Sequence, residues 1–413
     1  MEPYKVFADR IGGAKFGLSL PGHKFAMIKE ARDAFVQQHP DVKVIDLGIG
    51  EPDECAPEKI ARRLYEEARL KENRIYADNG IFAFKEAAAR YLKRLLGLDF
   101  DPQTEINHCI GSKSALAALP LAFINPGDTV VATVPGYPVF PNMAGWLGGK
   151  VINLKLQPAN NYLPDLNELQ SVARSTRPKV VLLNYPNNPS GAVANLDFYK
   201  EVVAFAHRYH FVLVQDAAYA DFVYEGGFCS PLQVEGGREV TIEVYSLSKS
   251  YNMQGYRLGF VVSSPPLLKA FAYVKNHLDS GQFIAIQKAG IEALDCSADC
   301  IELNRLKYRR RMERVVDILN KAGLKAQPSP GTFYLYVPVP SEWHSLRFES
   351  GESWSRYLMS QLGIVTIPWD DAGAYVRLAM TFETGTRDFS SEEEVFQALE
   401  KRLTSNLNRE ALA

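Results

Sequence analysis

Between about residues 110 and 265, six short apolar runs, DTVVAT, KVINLKL, KVVLLN, FVLVQD, TIEVYS and RLGFVVS, alternate with stretches of helical spacing. Several are apolar at successive rather than alternate positions, as strands covered on both faces should be. The alternation predicts an α/β fold, with a mostly parallel sheet flanked by helices on both sides. The texture then changes. A long charged amphipathic stretch, IELNRLKYRRRMERVVDILNKAG, precedes a strand-like TFYLYVPV, a helical SWSRYLMSQLG and the segment VTIPWDDAGAYVRLAMTF. That succession predicts a smaller α+β domain. The expected organisation is residues 1–45 as an N-terminal segment and part of the small domain, 46–285 as the large ligand-binding domain, and 286–413 as the small C-terminal domain. The ligand site is expected between the two, at the carboxyl ends of the sheet strands. The basic run Tyr308 to Arg311 reads as a solvated helix face.

Composition narrows the class without naming a chemistry. A chain of 413 residues with 46% hydrophobic and 23% charged residues can bury a large core and suits a soluble enzyme. A formal net charge of −2 supplies no basic field for nucleic acid or an anionic membrane. The opening MEPYKVFADRIGG lacks the apolar core of a signal peptide, and no apolar run of about 18 residues occurs. A cytoplasmic enzyme acting on small molecules is therefore expected. The five cysteines are scattered and read as core or surface thiols, with no metal expected; Cys296 and Cys300 fall on adjacent turns if that stretch is helical.

The chemistry concentrates in SLSKSYNMQGYRLGF. Alone, Lys249 would be an ordinary exposed lysine. Ser246, Ser248 and Arg257 bracket it, however, with two hydroxyls and a bidentate cation, a combination suited to a phosphate monoester. The serines could equally just end a strand. In VLVQDAAYA, Asp216 closes an apolar strand with Tyr219 three residues on; a helix cap would place Asp there too. The loop NYPNNPSG presents Asn188, although Asn and Pro are ordinary turn formers. In CIGSKSALAALPLAF, a helix begins at Gly111, Ser112 and Lys113 and leaves backbone N–H groups at its positive end.

Taken together and at these distances, the segments resemble the class I/II, fold type I, aminotransferases over nearly the whole chain. The resemblance implies a seven-stranded sheet in the large domain, the cofactor pyridoxal 5′-phosphate, amino acid and 2-oxo acid substrates, and a homodimer with shared active sites. Lys249 is implied to bind the cofactor through its amine and to carry the proton that moves during transfer, with Asp216 and Tyr219 as its catalytic companions. Asp216 is implied to pair with the ring nitrogen, Asn188 and Tyr219 with the ring hydroxyl, and Tyr137 of VPGYPV to stack on the ring. Ser112, Lys113, Ser246, Ser248 and Arg257 are implied to hold the phosphate, joined by Tyr76 of the partner subunit. Gly50 of LGIGEPD, Lys113, Asn188 and Arg377 of AYVRLAMTF are implied to contact substrate. Arg377 is expected to grip its α-carboxylate.

Within that family, LGIGEPD, RIYADNGIFAFKEAA, NYPNNPSGAVA and DSGQFIAIQKAG are most similar to the branch that passes an amino group between LL-diaminopimelate and 2-oxoglutarate in lysine biosynthesis. No arginine of the aspartate-specific type stands in DSGQF, and His23 occupies a position where a tyrosine is expected. An aspartate or broad-specificity aminotransferase, and more remotely a lyase with the same lysine, are the alternatives. A non-catalytic regulator on this fold would need a DNA-binding extension, for which no room is seen before residue 20 or after residue 400.

Overall fold

The six apolar runs all form strands, and a seventh that the pattern did not mark, Ile106–Cys109, joins them. In chain order these are β1 (Ile106–Cys109), β2 (Thr129–Val134), β3 (Lys150–Lys155), β4 (Val180–Asn184), β5 (Val212–Asp216), β6 (Thr241–Ser246) and β7 (Gly259–Ser263). They lie side by side in the order β1-β7-β6-β5-β4-β2-β3. β7 runs antiparallel to both neighbours and the remaining neighbours are parallel, which is the mostly parallel seven-stranded sheet expected. The computed structural model describes residues 6–13, 24–296, 298–386 and 389–405, so His23 lies outside the described residues.

Side chains alternate between the faces of a strand, and both faces here are apolar. Val130, Val180, Leu182, Val214 and Val244 pack into one core with the helix Gly111–Phe123, whereas Val131, Val181, Leu183 and Leu213 pack into another with the helix Leu196–Tyr209. Near the β1 edge, Tyr245, Phe260 and Val262 join a third core with the helix Phe82–Leu96. This double coverage is why the strands read as unbroken apolar runs. It also aligns the strand ends, since Asn184 pairs with Asp216 and Asp216 with Val244 across the parallel register.

The chain folds as two compact units, and the division passes through the helix Ala298–Lys321 between Arg310 and Arg311. The larger comprises Glu51–Arg310 with Ser329–Phe333, and the smaller comprises Met1–Gly50, Arg311–Pro328 and Tyr334–Ala413. In the smaller unit, β8 (Tyr334–Pro338), β9 (Ile367–Pro368) and β10 (Tyr375–Ala379) form an antiparallel sheet in the order β9-β10-β8, with the helix Gly351–Leu362 nearby in sequence. Ile45–Asp46 pairs in parallel with Ile364–Val365, which ties an early segment of the chain to a late one.

Two of the expectations fail. Arg311 does not belong to a solvated face: it is buried, ion-paired with Glu392 at 2.8 Å, and donates to the carbonyls of Met380 and Phe382. Its partner lies 81 residues away in sequence, so the local charge run could not reveal it. Cys296 and Cys300 are joined as a disulfide and are not separate thiols; Cys55, Cys109 and Cys229 are free. Among the described residues, no helix is long and apolar enough to cross a membrane.

Phe260 is the aromatic centre of the β1 edge, stacked on Tyr245 at 4.8 Å and edge-on to Phe84 and Tyr91. Phe260→Ala should cost about 3–5 kcal/mol of stability, the usual consequence of emptying a buried aromatic site. Urea unfolding would measure it, and a loss below about 1 kcal/mol would show that the surrounding rings collapse into the space.

Candidate active site

Strand β6 ends at Ser246 and turns at once into the short helix Leu247–Ser250. Ser246 caps that helix by accepting the N–H of Ser248 at 3.2 Å. On its far side, Ser250 donates to the carboxylate of Asp221, which also accepts from the Tyr91 hydroxyl at 3.0 Å. Lys249 is thus held on a turn fixed from both flanks, half-buried, with Nζ 5.9 Å from the centre of the Phe333 ring. Phe333 in turn meets Tyr219 edge-on at 5.5 Å. One aromatic ring therefore links the amine to the tyrosine three residues beyond Asp216.

Asp216 closes β5 at the centre of the sheet and is only 5% exposed. Burial raises its carboxyl to about 7, with the Ala218 N–H, 3.2 Å from Oδ1, pulling modestly the other way. A carboxyl so placed is poised to receive a cation, because an opposite charge would restore its ionised form. Asn184, at the end of β4, donates through Nδ2 to the Asp216 carbonyl at 3.0 Å and accepts the Asn188 N–H at 2.9 Å. The loop carrying buried Asn188 is thereby pinned to the strand that carries Asp216.

The third element is a cradle for an anion. The helix Gly111–Phe123 starts without any side-chain cap, which leaves its first N–H groups to another partner. Gly111 has φ 72°, and a Cβ there would lie 2.5 Å from Nη2 of Arg257, so the guanidinium rests directly on the glycine. A Cβ on Gly259 would come within 3.3 Å of the Ser112 nitrogen, so β7 backs the same turn. Ser112 is half-buried, Lys113 exposed, and Ser248 buried. Tyr137 follows β2 and packs against the core beside the same helix. Tyr76, by contrast, is 84% exposed.

Arg377 and Gly50 belong to the smaller unit, and the fold brings them together there. Arg377 is buried on β10, donates to the Gly48 carbonyl at 2.8 Å, and lies 4.3 Å over the Tyr334 ring and 5.3 Å over that of Trp369. Gly50 passes so close to Tyr334 that a Cβ there would collide with its hydroxyl. Thr381 adds a hydrogen bond to the Ile49 carbonyl, which completes the attachment of residues 48–50 to the β10 segment.

Sequence reasoning missed Asn184 and Phe333. The first ends the apolar run KVVLLN, but only the sheet register sets it beside Asp216. The second was read as part of a strand, and its approach to Lys249 depends on a fold-back that no local spacing announces.

Comparison with known proteins gives a consistent result. The family described as "Aminotransferase class I and II" matches residues 42–387. A protein of Methanocaldococcus jannaschii named LL-diaminopimelate aminotransferase is 47% identical over 412 residues, covering 98% of both chains. Among solved structures, substrate-bound BacF from Bacillus subtilis superimposes with a TM-score of 0.85 at 28% identity over 97% of each chain. A single mutant of Thermus thermophilus aspartate aminotransferase does so with a TM-score of 0.85 at 26% identity, over 96% of this chain and 98% of that one.

The raised carboxyl of Asp216 has a thermodynamic signature. Between its ordinary value of 3.8 and about 7, the folded ligand-free protein holds a proton there that the unfolded chain has lost. Stability must therefore fall as pH rises through that window, and level off above it. Thermal unfolding of ligand-free Asp216→Asn should show a shallower decline from pH 4 to 7 than the parent, and identical slopes would exclude the shifted carboxyl. Glu243, raised to about 8 by burial, contributes its own slope to both proteins.

Proposed function

This chain belongs to the class I and II aminotransferase family, and we propose that it is a pyridoxal 5′-phosphate enzyme transferring an amino group between LL-diaminopimelate and 2-oxoglutarate in lysine biosynthesis. The observation that carries the substrate is the 47% identity, over 98% of both chains, with a protein of that name. The larger unit fits the cofactor by the chemistry of its donors. An uncapped helix start with a guanidinium against its first glycine suits a phosphate dianion, and a buried carboxyl raised to about 7 suits a cationic ring nitrogen. A half-buried amine lies on a turn beside the phosphate-seeking serines.

Ser112, the Lys113 backbone, Ser246, Ser248 and Arg257 hold the phosphate, with Tyr76 of the partner subunit. Asp216 would pair with the ring nitrogen, Asn188 and Tyr219 with the ring hydroxyl, and Tyr137 would serve the ring itself. Bound there, the cofactor supplies an electron sink that allows the Cα–H bond of the amino acid to break. Lys249 would hold it through Nζ, and the same Nζ would accept and return the proton that moves. Arg377 grips the α-carboxylate with two parallel N–H donors; the Tyr334 and Trp369 rings and the Gly48 carbonyl already fix its plane. Gly50 brings its backbone toward that carboxylate, its missing side chain making way for the Tyr334 hydroxyl, and Lys113 serves the distal charged end of the substrate.

The reading takes the enzyme as a cytoplasmic homodimer. Tyr76, Ile75 and Phe82 are exposed together with Tyr273, Leu278 and Phe283, and a bridge between Ala77 and Gly281 brings the two segments together. An apolar surface of that kind around Tyr76 supports its burial against a second copy.

Titrating the cofactor-loaded protein with single amino acids, while following the absorbance of the bound cofactor, tests the assignment. LL-diaminopimelate and glutamate should both discharge the absorbance, and Lys249→Ala should abolish the response. A response to aspartate but not to diaminopimelate would remove the lysine pathway while keeping the family chemistry. Arg377→Lys should lower kcat/KM for LL-diaminopimelate on the order of 100-fold, through loss of a planar two-pronged grip, and leave cofactor affinity unchanged.

A further inference from the structure

The polar character of β1 has no role in the site described so far. His108 lies in its middle, opposite Phe260 of β7, with no exposed surface. Its Nε2 lies 3.0 Å from Oε1 of Gln282, a residue of the DSGQF segment. The amide nitrogen of Gln282 donates to the carbonyls of Tyr256 at 2.7 Å and Arg257 at 2.8 Å. Both amide protons are engaged by these carbonyls, so the amide oxygen faces the histidine and accepts its Nε2–H. Burial, which lowers His108 to about 4, keeps the ring neutral and suited to that single donation.

The two carbonyls belong to the peptide planes on either side of the Arg257 α-carbon. Holding both fixes φ and ψ of that one residue. Arg257 needs such a restraint, because it sits at φ 56° in the left-handed region, which a non-glycine residue adopts only at an energetic cost. In that conformation its Nη1 donates to the Gln254 carbonyl at 2.8 Å and its guanidinium lies against Gly111, at the start of the uncapped helix. Relaxing Arg257 would swing the guanidinium off the glycine.

We propose that Gln282, oriented by His108, is a positioning residue for phosphate binding: it clamps the backbone of Arg257 so that the guanidinium and the helix N–H groups converge on one anion. This deepens the cofactor reading above and rests on it. The partners of Gln282 are His108 and the carbonyls of Tyr256 and Arg257, so its effect would be confined to the phosphate end.

Pyridoxal, which lacks the phosphate, separates this role from a general one. In equilibrium titrations of the cofactor-free dimer, Gln282→Met should raise the dissociation constant for pyridoxal 5′-phosphate roughly tenfold. The constant for pyridoxal should not change. In an Arg257→Ala background, the same substitution should add little, since its route of action is already gone. His108→Phe should act in the same direction as Gln282→Met. Equal losses for pyridoxal and its phosphate, additive losses with Arg257→Ala, or no loss at all would each overturn the proposal. A parent protein that binds the two compounds equally would fail at an earlier point, by removing the phosphate cradle itself.

Discussion

A carboxyl group closed inside the sheet, with no opposite charge among the described residues to offset its burial, sets the terms for the rest of the site. Asp216 ends a strand flanked on both sides by parallel neighbours and is only 5% exposed, so burial dominates its ionisation. An ionised carboxylate there would be costly without a cation. The surroundings respond by fixing the position and leaving the charge unanswered. Asn184 holds the backbone of Asp216 and the Asn188 loop in one piece, and the short turn after β6 presents Lys249 from the adjacent strand end. A cation placed at Asp216 would restore its ionised form, and an anion would meet the helix start at Gly111 with the Arg257 guanidinium against it.

Rigid placement of these groups comes from hydrogen bonds made one step behind them. Ser250 and Asp221 brace the Lys249 turn, Asn184 braces Asn188, and Gln282 braces Arg257. The smaller unit uses packing for the same end, since two aromatic faces and the Gly48 carbonyl hold the Arg377 plane. In each case a neighbour supplies the geometry of the group that would meet the ligand. Preorganisation of this kind lowers the entropic cost of binding and is lost when the supporting residue is removed.

Strands β2 to β7 were legible because burial on both faces forces apolar residues at successive positions. β1 was not, since INHC carries Asn107 and His108 at buried positions, and polar residues in a strand carry no periodic signal. Lys249 and Asp216 could be singled out from residue type and spacing because each lies where an apolar strand ends, and Arg257 because it stands just ahead of the next one. Asn184 and Gln282 could not be ranked above other amides, because their significance lies in contacts across 32 and 25 residues. Arg311 was misread for the same reason. A charge run looks solvated until its partner, here Glu392 on a distant segment, folds onto it.

The larger unit shelters three acids between residues 216 and 243, Asp216 and Glu243 buried and Asp221 half-buried, and their hydrogen bonds differ. Glu243 accepts from the hydroxyls of Ser230 and Tyr245, and Asp221 from those of Ser250 and Tyr91. Each is satisfied within the protein, as buried polar groups in a stable core should be. Asp216 has the N–H of Ala218 at 3.2 Å and no hydroxyl on its carboxylate among the described residues. All three are pushed upward by burial, so the direction of the shift alone does not distinguish them. The difference is that two shells are closed and one is open. Hydroxyls meet the carboxylates of Glu243 and Asp221 but not that of Asp216, so among the three it is the one whose ionised form an incoming cation would stabilise most.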